Sequence, residues 1–405
     1  MIKFPENFLW GAATSAYQVE GNNVNSDWWP WEKAVGHQQS GQACRHYERY
    51  AEDFDLAKSL NHNAHRLSLE WARIEPEAGE FSQEALDHYL NVILALRSRN
   101  IEPMVTLHHF TNPIWLSKEG GWENRRVVDR FVRYSDVVIR ALGKHVRYWI
   151  TINEPTIYIS HSYIMGWWPP QEKSVWKAKV VRDHMVAAHV KAYRLIHNIY
   201  QELNLPKPSV SIAQHIPALV ACSPSLRNRF AAYCRDKWLN FEFLDNIMRQ
   251  QAMDFVGLNY YSRQLVDVGR WSPGSLLSEV CRDNHDPVEK NFLGWDVYPK
   301  GIYEVLLKLK KYDLPVIVTE NGICTSDDQQ RWRFIVSHLK NIHAAIEQGV
   351  NVTGYLHWSL LDNFEWDKGF KPRFGLVGID YHTFQRTVRD SARALAQVCR
   401  TGVLE

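Results

Sequence analysis

The sequence predicts one (β/α)8 barrel domain over residues 1–405, and two observations support this fold class. Eight short runs of β-branched or apolar residues alternate with longer amphipathic segments of helical periodicity. Such alternation indicates parallel β/α units, and eight of them can close into a barrel with functional residues at the C-terminal ends of the strands. The sequence contains no repeat, low-complexity tract or linker, and its 45% hydrophobic residues suffice for a large core. One domain is therefore expected.

The predicted elements follow in chain order. Strands are predicted for Phe8–Ala13, Ala64–Ser68, Glu102–Leu107, Tyr148–Asn153, Val210–Ala213, Phe255–Leu258, Val316–Thr319 and Val352–Trp358. Amphipathic helices are predicted for Tyr47–Leu60, Gln83–Arg99, Val127–Leu142, Lys177–Glu202, Lys300–Lys311 and Trp332–Glu347. Ser82 precedes the second helix and is a candidate N-cap. The stretch Val266–Phe292 is rich in Gly, Pro, Asp and Ser, which predicts a long loop over the active-site end of the barrel.

Charge and cysteine usage narrow the class of protein. The formal net charge is +2 and basic residues are not clustered, so neither a nucleic acid nor an anionic membrane is an expected partner. The sequence has no apolar run of about 18 residues, the length of a membrane span, and Pro5, Glu6 and Asn7 interrupt the apolar N-terminal segment, which argues against a signal peptide. The cysteines are scattered without a CxxC pair, which fits reduced thiols in a cytoplasmic enzyme: Cys44, Cys222, Cys234, Cys281, Cys324 and Cys399. None of these features indicates an oligomeric state.

Two glutamates terminate apolar strands. Glu154 lies in Tyr148–Pro155 at the end of the fourth strand, and Glu320 lies in Val316–Gly322 at the end of the seventh. A carboxylate at the end of a buried strand is costly unless it is paired or functional. A structural ion pair with Arg66 would explain one such glutamate, but a barrel brings both to the same face. Glycoside hydrolysis requires a pair of carboxyl groups of this kind.

Three segments resemble signatures of glycoside hydrolase family 1. Phe8–Gly21 resembles the opening signature, Thr151–Pro155 the acid/base motif and Val316–Cys324 the nucleophile signature. Supporting matches are His65–Ser68, Leu107–Phe110, Asn259–Tyr261, Gly294–Pro299 and His357–Trp366. The resemblance covers nearly the whole chain and implies a (β/α)8 barrel without metal or organic cofactor. It also implies hydrolysis of small-molecule β-glycosides with terminal glucosyl, galactosyl or fucosyl groups, with retention of configuration, Glu154 as acid/base and Glu320 as nucleophile.

The resemblance also implies a set of sugar contacts, namely Gln18, His109, Asn153, Trp358, Glu365 and Trp366. Gln18 and Glu365 resemble the residues that bind O4, together with O3 and O6 respectively. His109 and Trp366 resemble partners of O3, and Asn153 resembles the partner of the 2-hydroxyl. Trp358 resembles the residue under the sugar ring. A bond to the 2-hydroxyl strengthens as the oxocarbenium ion develops, so Asn153 is expected to contribute to catalysis.

Arg66, Asn259 and Tyr261 resemble residues that support this site. Arg66 and Tyr261 are expected to contact Glu320 and keep it ionised, because a nearby cation or donor lowers the pKa of a carboxyl group. Glu154 faces a carboxylate and apolar surroundings, so its pKa is expected to be raised.

The sequence departs from the family on the leaving-group side. Phe110 and Thr156 occupy positions where many bacterial members have Trp, and the chain is shorter than most relatives between Val220 and Asp254. Candidates for stacking against a second sugar or an aryl group are Trp167, Trp168 and Trp295. A core role is an equal alternative for each of these three tryptophans.

Other functions remain open or are disfavoured. A transglycosylase would use the same glycosyl-enzyme and differs only in the acceptor. A carbohydrate-binding protein without activity is expected to lack one of the two glutamates, and both are present. The eighteen histidines include no HExxH spacing, and His108 and His109 are adjacent strand residues that face opposite ways, which disfavours a metal site. Glu365 is retained where relatives that act on 6-phosphoglycosides have a small polar residue, so rejection of 6-phosphates is expected.

Overall fold

Eight parallel strands close into one barrel in the computed structural model, which describes residues 1–268 and 288–405. The barrel strands are β1 Leu9–Ala13, β2 Ala64–Ser68, β3 Glu102–His108, β4 Tyr148–Asn153, β5 Ser209–His215, β6 Val256–Asn259, β7 Val316–Asn321 and β8 Val352–Trp358. Each strand pairs with the next, and β8 pairs with β1 from Gly354↔Leu9 to Trp358↔Ala13. The predicted fold class is confirmed, and every predicted strand is present with its ends within two residues of the prediction.

One helix that follows each strand packs outside the barrel. These helices are α1 His46–Ser59, α2 Gln83–Ser98, α3 Arg126–Leu142, α4 Val175–Glu202, α5 Glu242–Arg249, α6 Pro299–Leu309, α7 Asp328–Glu347 and α8 Asp390–Thr401. The Ser82 side chain accepts a hydrogen bond from the backbone nitrogen of Ala85 at 3.2 Å, as expected for an N-cap. Helix α7 begins four residues before its predicted start because Asp327 caps it by accepting from Gln329 at 2.9 Å.

Shorter elements decorate the barrel. Helices of this kind are Ala16–Val19, Trp28–Ala34, Trp71–Ile74, Ile114–Lys118, Pro155–Ile159 and Leu226–Arg235. Three two-stranded sheets pair Ile2–Lys3 with Val403–Leu404, Ala218–Ala221 with Arg263–Val266, and Val377–Ile379 with Arg386–Val388. Most of the loop predicted over Val266–Phe292 lies outside the described residues.

The barrel interior is filled by apolar side chains from the strands. This inner layer consists of Ala64, Met104, Ile150, Ala213, Phe255, Ile317 and Leu356, all of them buried. Complete burial of a side chain such as Ile or Leu contributes about 1.5–3 kcal/mol to stability. Because these residues fill the barrel interior, the polar residues near the C-terminal strand ends pack above a close-packed apolar layer.

Cysteine chemistry differs in part from the expectation of reduced thiols. Cys44, Cys234, Cys324 and Cys399 are free thiols. Cys222 is in a disulfide, so the expectation is wrong for this residue. Within residues 1–268 and 288–405, no helix has both the length and the apolar character needed to cross a membrane.

Candidate active site

The predicted site residues converge on the C-terminal end of the barrel. Arg66 lies on β2 and Glu320 on β7, while Asn153, Asn259 and Trp358 are the last residues of β4, β6 and β8. The other predicted catalytic, sugar-binding and supporting residues lie in the segments that follow the strands: Gln18 in helix Ala16–Val19, His109 after β3, Glu154 after β4, Tyr261 after β6, and Glu365 and Trp366 after β8. Parallel strands end on one face, so these side chains meet although they are far apart in sequence.

Glu320 is held by a cation and a hydroxyl. Arg66 forms an ion pair with Glu320 Oε1, and the Tyr261 hydroxyl donates to Oε2 at 2.6 Å. Burial raises the pKa of Glu320, while Arg66 and Tyr261 act in the opposite direction by favouring the charged form. The strand end lies very close to β8, since a Cβ atom at Gly322 would be 1.8 Å from the carbonyl oxygen of Trp358. Glycine at this position therefore permits the packing that fixes Glu320.

Glu154 has a different environment. Its backbone is in the left-handed region with φ of 42°, and Pro155 starts a short helix directly after it. A non-glycine residue in this region is strained, and such strain clusters at functional sites. The Asn259 amide donates to Glu154 Oε1 at 2.8 Å. Burial raises the pKa of Glu154 well above its usual range, and the negative charge of Glu320 raises it further.

One hydrogen-bond network connects the two carboxyl groups. Arg66 Nη2 donates to Asn153 Oδ1 at 2.6 Å, and Asn259 Nδ2 lies 3.1 Å from the same oxygen. Thr319 donates to Asn259 Oδ1 at 2.7 Å, which fixes the orientation of the amide that binds Glu154. Because Arg66 and Asn259 both contact Asn153, displacement of one member changes the position of the others.

His109 lies between two indole rings. Its ring centroid is 6.0 Å from that of Trp358 and 6.1 Å from that of Trp366, with interplanar angles of 17° and 15°. Burial lowers the pKa of His109 well below its usual range, so the ring is neutral. Asn153 Nδ2, which can only donate, lies 3.2 Å from His109 Nε2. The proton is therefore on Nδ1, which is buried without a partner among the described residues.

Gln18 and Glu365 form a second polar group. Gln18 Nε2 donates to the carbonyl oxygen of Phe364 at 2.9 Å, and its Oε1 accepts from Ser15 at 2.6 Å. The Trp358 indole nitrogen donates to Glu365 Oε1 at 3.1 Å. Burial raises the pKa of Glu365 to about 8, which exceeds the lowering effect of the hydrogen bond from Trp358.

The three tryptophans predicted for the leaving-group side differ in exposure. Trp167 and Trp295 are 46% and 42% exposed, so each has an open ring face. Trp168 is only 5% exposed. Its nitrogen donates to Asp367 at 3.0 Å, and its ring centroid lies 5.8 Å from that of Trp366. The surroundings of Trp168 favour the core alternative, in which it supports Trp366 from behind.

Phe110 and Thr156, where the sequence differs from the family that it resembles, both contact residues that are distant in sequence. Phe110 is buried with its ring centroid 5.2 Å from that of Trp366. Thr156 accepts a hydrogen bond from the Gln214 amide. Both side chains therefore have partners within the protein.

Sequence reasoning missed two residues of the site. Thr319 is the partner of Asn259, and His215 Nδ1 lies 3.8 Å from Glu154 Oε1. The signal for His215 was its place near the end of the fifth strand, but the predicted strand stopped at Ala213 and so left His215 off the barrel rim. No group of three or more His, Cys, Asp or Glu side chains in the described parts of the chain is arranged to hold a metal ion.

Comparison with known proteins gives consistent matches. A family model described as Glycosyl hydrolase family 1 matches residues 1–250 and 233–403. Beta-glucosidase A of Thermotoga maritima is 33% identical, with 100% of this chain and 99% of that protein covered. 6-Phospho-beta-glucosidase GmuD of Bacillus subtilis is 30% identical, with 98% and 97% covered. The solved structure of a beta-glycosidase from Pyrococcus horikoshii has a TM-score of 0.91 and 39% identity, and 100% of this chain and 96% of that chain are covered.

The matches also bear on the length of the chain. The alignment with the Thermotoga maritima protein runs over 446 positions although this chain has 405 residues, so that relative carries segments without a counterpart here. The two parts of the family match overlap at residues 233–250. This overlap lies within Val220–Asp254, the region that is predicted from the sequence to be shorter than in most relatives.

Proposed function

This chain belongs to glycosyl hydrolase family 1, and from that membership we propose that it is a retaining β-glycosidase with Glu320 as nucleophile and Glu154 as acid/base. The observation that carries the proposal is the contrast between the two buried carboxyl groups. Glu320 has a cation and a hydroxyl as partners, whereas Glu154 has an amide and faces the charge of Glu320. Such a contrast separates the pKa values of two carboxyl groups and suits one to attack and the other to proton donation.

In the first step, Glu320 attacks the anomeric carbon and the bond from this carbon to the glycosidic oxygen breaks. Glu154 gives its proton to the departing oxygen, so the alcohol leaves neutral. Arg66 and Tyr261 orient Glu320 through its two oxygens. Once the ester forms, Glu320 no longer carries a full negative charge, so Arg66 and Tyr261 lose this interaction. Tyr261 keeps its position by packing against Trp295, with the ring centroids 6.0 Å apart.

In the second step, Glu154 takes a proton from water while the water oxygen attacks the anomeric carbon. The bond between Glu320 and the sugar breaks, and the configuration of the substrate is restored. An alcohol in place of water gives transglycosylation through the same intermediate. Hydrolysis is the proposed main reaction because the relatives bear hydrolase names, and product analysis with added alcohol separates the two outcomes.

The proposed sugar site uses the residues around His109. His109 Nδ1 has a proton without a partner, which suits donation to the 3-hydroxyl. Gln18 and Glu365 are proposed to bind O4, and Glu365 also O6. Trp358 lies under the ring, Trp366 beside it, and Asn153 is proposed to bind the 2-hydroxyl.

The proposed substrates are unphosphorylated β-glucosides and β-galactosides. A 6-phosphate would lie against Glu365, and two of the cations that follow it in the sequence are already paired with carboxylates. Lys368 is paired with Asp367, and Arg373 with Asp362. Two like charges 4 Å apart repel by about 4 kcal/mol at an effective dielectric constant near 20. Because burial raises the pKa of Glu365 to about 8, this carboxyl is mostly protonated at neutral pH, and the repulsion becomes complete only at higher pH.

The proposed location in the cytoplasm remains a prediction from the sequence. The four free thiols agree with a reducing compartment, whereas the disulfide at Cys222 does not, because disulfides are rare there. The reactivity of Cys222 towards a thiol reagent, in protein purified with and without reductant, would show whether this residue is a disulfide or a free thiol.

A covalent label tests the proposed nucleophile. A 2-deoxy-2-fluoro β-glucoside with a good leaving group forms the glycosyl-enzyme but turns over slowly, so we expect a stable adduct on Glu320. Peptide mapping by mass spectrometry locates the adduct, and Glu320→Gln is the control that should stay unlabelled. An adduct on another residue, or inactivation without an adduct, contradicts the assignment.

A further inference from the structure

His215 occupies a place in the barrel that directs it to Glu154. It is the last residue of β5, and its Cα is paired in register with that of Asn259 on β6. The two side chains therefore lie at the same level of the barrel. Asn259 donates to Glu154 Oε1 at 2.8 Å, and His215 Nδ1 lies 3.8 Å from the same oxygen. This second distance is just too long for a hydrogen bond.

The Nδ1 atom of His215 has no hydrogen-bond partner in the described parts of the chain although it is buried. A buried polar atom without a partner is costly and calls for an explanation. Burial, together with a smaller contribution from the nearby His161, lowers the pKa of His215 to about 4. The imidazole is therefore neutral at neutral pH, and Nδ1 can carry a proton without adding a charge to the site.

We propose that His215 is a positioning residue that donates from Nδ1 to Glu154 when Glu154 is ionised. This role rests on the proposed function of Glu154 as acid/base. In the first step Glu154 loses its proton to the leaving group and becomes a buried carboxylate, while the charge of Glu320 disappears into the ester. A movement of about 1 Å brings Nδ1 to hydrogen-bond distance. The bond keeps Glu154 ionised and oriented for the water of the second step.

The expected sign follows from which protonation state the bond stabilises. A hydrogen bond to the carboxylate lowers the pKa of Glu154, so its removal raises that pKa. A raised pKa affects both half-reactions in a predictable way. The first step needs protonated Glu154, so its rate should stay high up to a higher pH. The second step needs ionised Glu154, so its rate should become maximal only at a higher pH.

Other charged or titratable groups face this pair and stay unchanged in the variants. Those facing Glu154 are Arg66, Glu320 and Glu365, and those facing His215 are His161 and Tyr261. Tyr261 packs on the His215 ring with centroids 6.0 Å apart. A substitution at His215 should therefore keep a ring against Tyr261, so that this packing does not change.

The test compares His215→Phe with His215→Asn. The Phe variant keeps a ring but has no donor, whereas the Asn amide nitrogen can take the place of Nδ1. Rates are measured against pH with two substrates. With 2,4-dinitrophenyl β-glucoside the second step limits kcat, and with phenyl β-glucoside, whose leaving group needs a proton, kcat/KM reports the first step. The same variants are made in the Glu154→Gln background, and the melting temperature of each is recorded.

For His215→Phe we expect the acidic limb of kcat and the alkaline limb of kcat/KM to move upward together. One hydrogen bond to a charged group corresponds to about one pH unit, or about tenfold in kcat on the acidic side. His215→Asn should restore both limbs, and His215→Phe should have no effect in the Glu154→Gln background. A loss of rate without movement of either limb, or movement in opposite directions, overturns the proposal. If Glu154→Gln itself does not spare substrates with acidic leaving groups, the acid/base assignment fails instead.

Discussion

At the scale of single residues, the function of each buried carboxyl group follows from its partners. Glu320 and Glu154 have the same chemical group and similar burial, but of these two carboxyl groups only that of Glu320 forms an ion pair with Arg66. Glu154 is held by Asn259, which donates a hydrogen bond without a full charge. Loss of Arg66 should therefore affect the kinetics differently from loss of Asn259.

Glu154→Gln should lower kcat/KM by about 10²–10⁴ for glycosides whose leaving groups need protonation, the usual range for a general acid. Glycosides of acidic phenols should lose much less in the first step, because their leaving groups depart without a proton. The measurement is kcat/KM across nitrophenyl and alkyl β-glucosides. Added azide should restore turnover of the acidic phenol substrates, since an anion attacks without a general base. An equal loss across all leaving groups would assign Glu154 a structural role.

Glu365→Ala should reduce activity on sugars that carry a 6-hydroxyl more than on 6-deoxy sugars. Glu365 is proposed to bind O4 and O6 of a glucoside but only O4 of a fucoside, so the fucoside has fewer bonds to lose. The measurement is kcat/KM for nitrophenyl β-glucoside, β-galactoside, β-fucoside and β-glucoside 6-phosphate. The galactoside is the matched control, because it differs from the fucoside only at O6. Equal loss on galactoside and fucoside, or preference of the unmodified protein for the 6-phosphate, would refute the proposed contacts.

The sequence allowed prediction of those site residues that lie in short contiguous motifs. Glu154, Glu320 and Glu365 belong to such segments, so their roles could be predicted without a structure. His215 and Thr319 were not readable, because their roles depend on β5, β6 and β7 being adjacent. The burial of Trp168 depends equally on tertiary contacts, such as those with Trp366 and Asp367, while the neighbouring Trp167 is 46% exposed.

At the scale of elements, a buried ion pair fastens α1 to the strand Arg386–Val388. Asp53 is fully buried on α1 and accepts from His46 at 2.7 Å and from Arg386 at 2.8 Å. Burial disfavours the charge, but the bonds from His46 and Arg386 outweigh it and lower the pKa of Asp53. These contacts connect the first barrel helix to a strand near the other end of the chain.

Asp53→Asn should destabilise the fold by about 3–5 kcal/mol, because the change leaves Arg386 buried without its partner. The free energy of unfolding from urea titration measures this loss. Asp55→Asn on the same helix is the matched control and should change stability little, since the Asp55 side chain is 69% exposed in its pair with Arg99. Similar losses of stability for both variants would show that the buried ion pair stabilises the fold no more than the exposed one.

The pair also gives a pH dependence. A carboxyl group with a lowered folded-state pKa contributes stability above its unfolded pKa, near 4, and loses it as pH falls through the folded-state value. The melting temperature of the unmodified protein should therefore fall more steeply in acid than that of Asp53→Asn.

At the scale of the whole molecule, the closed barrel was predictable because its signal repeats eight times. An error of two residues at one strand end does not alter the number of strands or their order. The sheet that pairs Ala218–Ala221 with Arg263–Val266 was not predicted, since its two strands are distant in sequence and lack the alternation of strand and helix. The single-domain organisation of residues 1–405 remains a prediction.

The contributions of the eight strands to the site are unequal, and this inequality has an evolutionary consequence. Five strands or the loops after them supply residues proposed to bind the sugar or to react, and β2 and β6 supply residues that hold these side chains, whereas β5 supplies only His215. The region Val220–Asp254, which is predicted from the sequence to be shortened, follows β5. A lineage can therefore gain or lose segments there without disturbing the sugar site. Loops after β4 and β7 lack this freedom because Glu154 and Glu320 lie where those loops begin, so diversity in leaving groups should arise mainly from changes after β5.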